Sequence, residues 1–147
     1  MTKTIGPFLE VARIQSEINQ LFDNLSDLEQ TAADGGGWIP NVDVIETSDE
    51  LLVHAELPGV AADGLSVTVG GGHLHLQGTK PDRDAREGEV ARSADRRFGR
   101  FRRSIHLGVA VNTRLAEATL ANGLLRVRFP KVPNRRGEVV AIEVKPQ

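Results

Sequence analysis

From Trp38 to about Val132 the apolar residues of this chain recur at every second position, and that alternation leaves few folds open. Val42 and Val44 flank Asp43. Leu51, Val53, Ala55 and Leu57 share one parity, against Leu52, His54 and Glu56. Leu65, Val67 and Val69 alternate with Ser66 and Thr68, and Leu74 and Leu76 with His73, His75 and Gln77. Phe101, Ile105 and Leu107 form a further set, followed by Ala118 and Leu120, then Leu125, Val127 and Phe129. A period of two places such residues on one face of a strand and leaves the other face polar. Between the runs stand turn formers: Ser48-Asp49-Glu50, Pro58-Gly59, Gly70-Gly71-Gly72 and Ala121-Asn122-Gly123. Asn-Gly is the strongest hairpin signal among them, because a type I′ turn needs positive φ at both central residues. Short alternating strands at this spacing predict an all-β fold, an immunoglobulin-like antiparallel β-sandwich.

The flanks follow other rules. Phe8, Val11, Ile14, Ile18, Leu21, Phe22, Leu25 and Leu28 are spaced mostly by three or four, the signature of one helical face. Residues 1–37 are therefore expected to be an amphipathic helical arm, ending in the Gly35-Gly36-Gly37 hinge. Fully burying one Leu, Ile or Phe stabilises by ~1.5–3 kcal/mol. Eight such residues left in water would form a patch that normally marks an interaction site. The competing reading is a helix packed permanently on its own domain. After the 38–132 domain, residues 133–147 read as a polar tether from Pro133 carrying a short apolar tip that includes Ile142 and Val144. The segment Lys80–Asp95 is charged and too long for a simple hairpin turn, so it is expected either to project or to be disordered.

Several functions are disfavoured. The chain has no cysteine, which excludes disulfides, thiolate metal sites and a cysteine nucleophile. It carries no G-x-S-x-G elbow, no H-E-x-x-H and no glycine run followed by the lysine of a phosphate loop, so neither an enzyme nor a cofactor or nucleotide site is expected. His73 and His75 share a strand face, but two ligands do not make a zinc site, and their parity opposite Leu74 and Leu76 favours solvent. Arg96, Arg97, Arg100, Arg102 and Arg103, interleaved with Phe98 and Phe101, invite a nucleic-acid reading. The order does not fit an RNA-recognition strand, nearby carboxylates offset the charge, and the net charge is -2, so no nucleic-acid partner is expected. No apolar stretch nears the ~20 residues needed to span a bilayer, and no secretory signal is visible at Met1–Glu10, so the expected setting is cytoplasmic and away from membranes. Arg103 shares the parity of Phe101, Ile105 and Leu107 and so points inward. An inward arginine needs a carboxylate, expected at or near a dimer interface.

The motifs now carry a resemblance. Leu57-Pro58-Gly59-Val60 after a strand, Arg97-Phe98-Gly99-Arg100-Phe101 with Arg103-Ser104, Ala118-Thr119-Leu120-Ala121-Asn122-Gly123-Leu124-Leu125 as an A-x-x-x-n-G-v-L hairpin, and Ile142-Glu143-Val144 resemble, in order, the motifs of bacterial small heat-shock proteins, the α-crystallin domain family. Leu124 stands where the family usually has valine. The resemblance implies an ATP-independent holdase that binds partly unfolded client proteins and prevents their aggregation under stress. Clients would be released to ATP-driven refolding chaperones. It implies a homodimer in which Glu89, Val90, Ala91, Arg92 and Ser93 cross as an edge strand to the partner's sheet, possible higher oligomers, and a structurally sensitive arginine at Arg103. It implies that Ile142 and Val144 dock on a neighbouring domain, in a groove lined by Leu65, Val67, Val69, Ala118 and Leu120. The rival from another class is a β-sandwich adaptor or co-chaperone that binds one folded partner.

Overall fold

The computed structural model describes residues 6–33, 37–132 and 142–146. After helix α1 (Gly6–Ala33) come seven strands: β1 (Val42–Glu46), β2 (Glu50–Glu56), β3 (Leu65–Gly70), β4 (His73–Lys80), β5 (Gly99–His106), β6 (Glu117–Ala121) and β7 (Leu124–Pro130). They form two antiparallel sheets, one in the order β1-β2-β7-β6 and one in the order β3-β4-β5. The expected sandwich and helical arm are both present. The alternation explains the register. Leu51 faces Phe129, Val53 faces Val127 and Ala55 faces Leu125, while Leu74 faces Ile105. These inner faces merge with Trp38, Leu57, Leu76, Phe101 and Leu107 into a single buried cluster. Removing that apolar surface from water is the main force closing the two layers.

Turn chemistry fixes the hairpins. Asn122 and Gly123 both take positive φ, 55° and 74°, as a type I′ connection between β6 and β7 demands. Gly71 and Gly72 do the same between β3 and β4. Gly78 has a different role. It sits opposite Phe101 in the β4–β5 ladder, where a Cβ would collide with the Gly64 carbonyl and lie 2.8 Å from Phe101 Cζ. The ring folds over a position that only glycine leaves open, and Trp38 meets it edge-on with centroids 5.3 Å apart.

Among the described residues four strand edges have no partner strand: β1 and β6 on one sheet, β3 and β5 on the other. Gly35 and Gly36 of the expected hinge, and residues 133–141 of the expected tether, lie outside the described residues.

Candidate functional site

The helix α1 meets the sandwich along β5, and it does so with its polar face. Asp23 and Asp27 are one turn apart, about 6 Å along a helix axis. Alternate residues of a strand are about 6.8 Å apart. The two carboxylates therefore match the spacing of the Ser104 and His106 amides on the free edge of β5. Ser104 N–H donates to both Asp27 oxygens at 3.1 Å, and His106 N–H donates to Asp23 Oδ2 at 3.0 Å. Unpaired strand edges are a liability, and here carboxylates supply the acceptors that a neighbouring strand would otherwise provide.

Arg103 completes this latch. Its guanidinium donates from Nε to Asp27 Oδ2 at 3.0 Å, from Nη1 to the Pro40 carbonyl at 2.7 Å and from Nη2 to Asn24 Oδ1 at 2.9 Å. Asp27 is only 1% exposed and Arg103 8%. Burial pushes the Asp27 carboxyl above its ordinary pKa, against the opposing pull of the Ser104 N–H and the Arg103 charge. His73 approaches Asp23, 3.4 Å from Nε2 to Oδ1, and lies beside the rings of His75 and His106.

With its polar face committed, α1 turns its apolar stripe outward. Val11, Ile14, Ile18, Leu21, Phe22, Leu25 and Leu28 are 40–69% exposed. The side chain of Phe8 lies outside the described residues. The reading of a helix buried on its own domain by its apolar face is thus replaced by the reverse arrangement. The inward arginine and its carboxylate are found as expected, but the carboxylate is in the same chain. Asp23, Asn24 and Asp27 were missed as anchors. The signal for them was an inward Arg103 in need of a partner, together with acids spaced one turn apart.

The remaining sites are spread over the molecule. Glu89, Val90, Ala91, Arg92 and Ser93 are exposed and form no strand within the single chain. Arg83 pairs with Glu89 at 2.6 Å. Leu65, Val67, Val69 and Leu120 are half-buried on the outer strands β3 and β6, packed against the core, and Ala118 is exposed. Ile142 and Val144 stand 87% and 89% exposed. Phe101 is buried, so it offers no face to a nucleobase, and Arg96 stacks on Phe98 instead. Among the described residues no group of three or more acidic or histidine side chains is arranged to hold a metal. Among the same residues no helix is long and apolar enough to cross a membrane.

A family model described as Hsp20/alpha crystallin family matches residues 43–145, all but the first residues of the sandwich together with most of the tail. The chain belongs to the Hsp20/alpha crystallin family. Heat shock protein 16 of Schizosaccharomyces pombe is 36% identical over 100 residues, covering 66% of this chain and 69% of that protein. The 18 kDa antigen 2 of Mycobacterium avium is 35% identical over 101 residues, 67% of this chain and 72% of its own length. A larger heat shock protein of Dictyostelium discoideum, 25% identical, is matched over only 33% of its length. Among solved structures, heat shock protein 16.0 from S. pombe superposes with a TM-score of 0.62 at 34% identity, over 72% of this chain and 99% of that one. Membership in the Hsp20 family makes the chain an ATP-independent chaperone and not an enzyme. Members of the family bind unfolded clients and form oligomers. Nothing in these likenesses favours the adaptor reading.

Proposed function

We propose that this chaperone captures partly unfolded clients on the outward stripe of α1, with the sandwich serving as a rigid base. The observation that carries this is the reversed docking of the helix. Seven large apolar side chains face water while the buried Asp27 and the half-buried Asp23 tie the helix to the edge of β5. A client that exposes apolar segments gains the same burial that the stripe lacks, so capture needs no nucleotide. Release then falls to separate ATP-driven chaperones, in a cytoplasmic setting and without nucleic acid or membrane partners. The test is a combined Ile18→Ser, Leu21→Ser, Leu25→Ser variant, assayed by light scattering of a heated model client. Protection at stoichiometric ratio is expected to fall several-fold while the melting temperature of the sandwich stays put. Undiminished protection would move client capture off the helix.

The dimer follows from the edges. The free edge of β5 is covered by α1, and β3 with β6 offers half-buried apolar side chains to the Ile142-x-Val144 tail of a neighbour, a β-augmentation mode with two knobs on one strand face. That leaves β1, whose edge carries the exposed Val44 and Ile45 beside an open groove of about 790 Å³ lined by Gln15, Asn19 and Val42. Residues Glu89–Ser93 of one chain are proposed to add to β1 of the other, which removes an exposed edge from each. In the Ile18→Ser, Leu21→Ser, Leu25→Ser background, which removes any contact through the apolar stripe of the helix, deleting residues 80–95 with a short glycine bridge is expected to convert dimers into monomers in sedimentation analysis. A dimer that survives the deletion would rule the exchange out.

A further inference from the structure

Gln15, Asn19, Asp23 and Asp27 follow one another every four residues and so form a single row along α1, about 6 Å per step. Only half of this row is used within the chain. Asp27 and Asp23 accept from the Ser104 and His106 amides of β5, and β5 ends at His106. Asp27 is buried, Asp23 and Asn19 are half-buried and Gln15 is exposed, so the row climbs out of contact where the strand beneath it stops. There the groove of about 790 Å³ opens between α1 and β1. Its floor is the buried Leu51, Ile105 and Leu107, its far wall is the edge of β1, and its near wall carries Gln15 and Asn19. Among the described residues these two side chains bond to each other, Gln15 Nε2 donating to Asn19 Oδ1 at 3.3 Å, and to no strand.

We infer that Gln15 and Asn19 receive the outer backbone edge of the Glu89–Ser93 strand of a second copy, so that docked α1 is one wall of the dimer site. This rests on the strand exchange proposed above and gives the helix a part in it. A strand laid on β1 satisfies one of its two edges there, and its other edge is left facing α1. On that edge the groups of alternate residues recur about 6.8 Å apart, the spacing that the same helix row already matches on β5. Each of those residues turns both an N–H and a C=O outward, and a primary amide supplies the acceptor and the donor together. Length agrees, since β1 and Glu89–Ser93 have five residues each, about 17 Å when extended. Charge agrees as well. The row is acidic where it meets its own β5 and neutral where Glu89 of the second copy arrives, so carboxylates are not opposed. Val90, 83% exposed in the single chain, and Arg92 share one face of that strand. Turned inward, Val90 covers the apolar floor, and Arg92 lies on the side of Glu46, which has the parity of the core-packed Val42. The consequence is linkage: dimer formation tightens α1 on β5 by the same factor by which docking tightens the dimer.

The test is Gln15→Ala with Asn19→Ala in the full-length chain, placed in the Ile18→Ser, Leu21→Ser, Leu25→Ser background so that the apolar stripe contributes nothing. Alanine preserves the helix. The dimer dissociation constant, measured by sedimentation, should rise about tenfold, as expected for two modest hydrogen bonds. Hydrogen exchange in α1 is the second readout. In the background protein it should slow as concentration is raised through the dissociation constant. In the double variant that dependence should shrink, with exchange in the dilute monomer unchanged. An unmoved dissociation constant, with monomers still produced by deletion of residues 80–95, would overturn the inference and leave the strand exchange standing. Dimers that survive the deletion would overturn both. Faster α1 exchange in the dilute variant would make the two amides part of the latch on β5 and would also overturn the inference.

Discussion

Replacing Arg103 with leucine is expected to release α1 from the sandwich without unfolding it. The substitution leaves Asp27 buried with its charge facing only the Ser104 amide, and strips donors from the Pro40 carbonyl and Asn24. Breaking a buried ion pair by removing one partner costs ~3–5 kcal/mol if the survivor stays buried. The molecule has a cheaper course. Its helix contacts β5 through polar groups, and its apolar stripe contributes little to docking because that stripe already faces water. Undocking rehydrates Asp27 and caps the cost at whatever the latch was worth. The sandwich itself tolerates leucine at 103, which sits opposite Leu76 and shares parity with Phe101 and Ile105. Hydrogen exchange should therefore rise sharply in the α1 amides and change little in β2, β4 and β7. An unchanged exchange rate in α1 would mean that Arg103 is not what holds the helix. Asp27→Asn, which keeps the shape and one acceptor oxygen but loses the charge and puts an NH2 donor in place of the other oxygen, should give a weaker version of the same effect.

The sandwich was legible because alternation is a local property. Each strand carries its own in–out pattern, and Asn122-Gly123 announces its own turn, so the seven strands could be placed before any tertiary contact was known. The inward direction of Arg103 was legible for the same reason. Its partner was not. Asp27 lies 76 residues away in sequence, on a helix whose acids look like any solvated face, and only the approach of α1 to the β5 edge selects it. The helix period told which residues share a side but not which side meets the domain. The usual inference, that the apolar face is the buried one, fails here because β5 presents unsatisfied amides and a buried guanidinium, and those call for carboxylates rather than leucines. Residues Glu89–Ser93, proposed to pair only with a second molecule, show the other limit. A strand that pairs only with another molecule leaves no ladder in a single chain, so neither its sequence nor one subunit can display it.

The largest loss of stability is expected from Phe129→Ala. Phe129 is 1% exposed, lies across the β2–β7 ladder from Leu51 and belongs to the cluster that joins the two sheets. Truncating a buried phenylalanine costs ~3–5 kcal/mol through lost transfer energy and the cavity left behind. Against a total of ~5–15 kcal/mol for a domain of this kind, the melting temperature should fall by more than about 10 °C. Calorimetry or circular dichroism against temperature measures it, and a drop of only a degree or two would mean that the site collapses around the void. The comparison with Leu21→Ser gives this prediction its functional meaning. Leu21 is as apolar as many core residues but exposed, so its loss removes no cavity wall and should leave the melting temperature unmoved. Burial decides which of two chemically similar residues supports the fold and which is free to bind. In this chain the division runs between β7, which faces inward, and the far side of α1, which a buried salt bridge keeps facing outward.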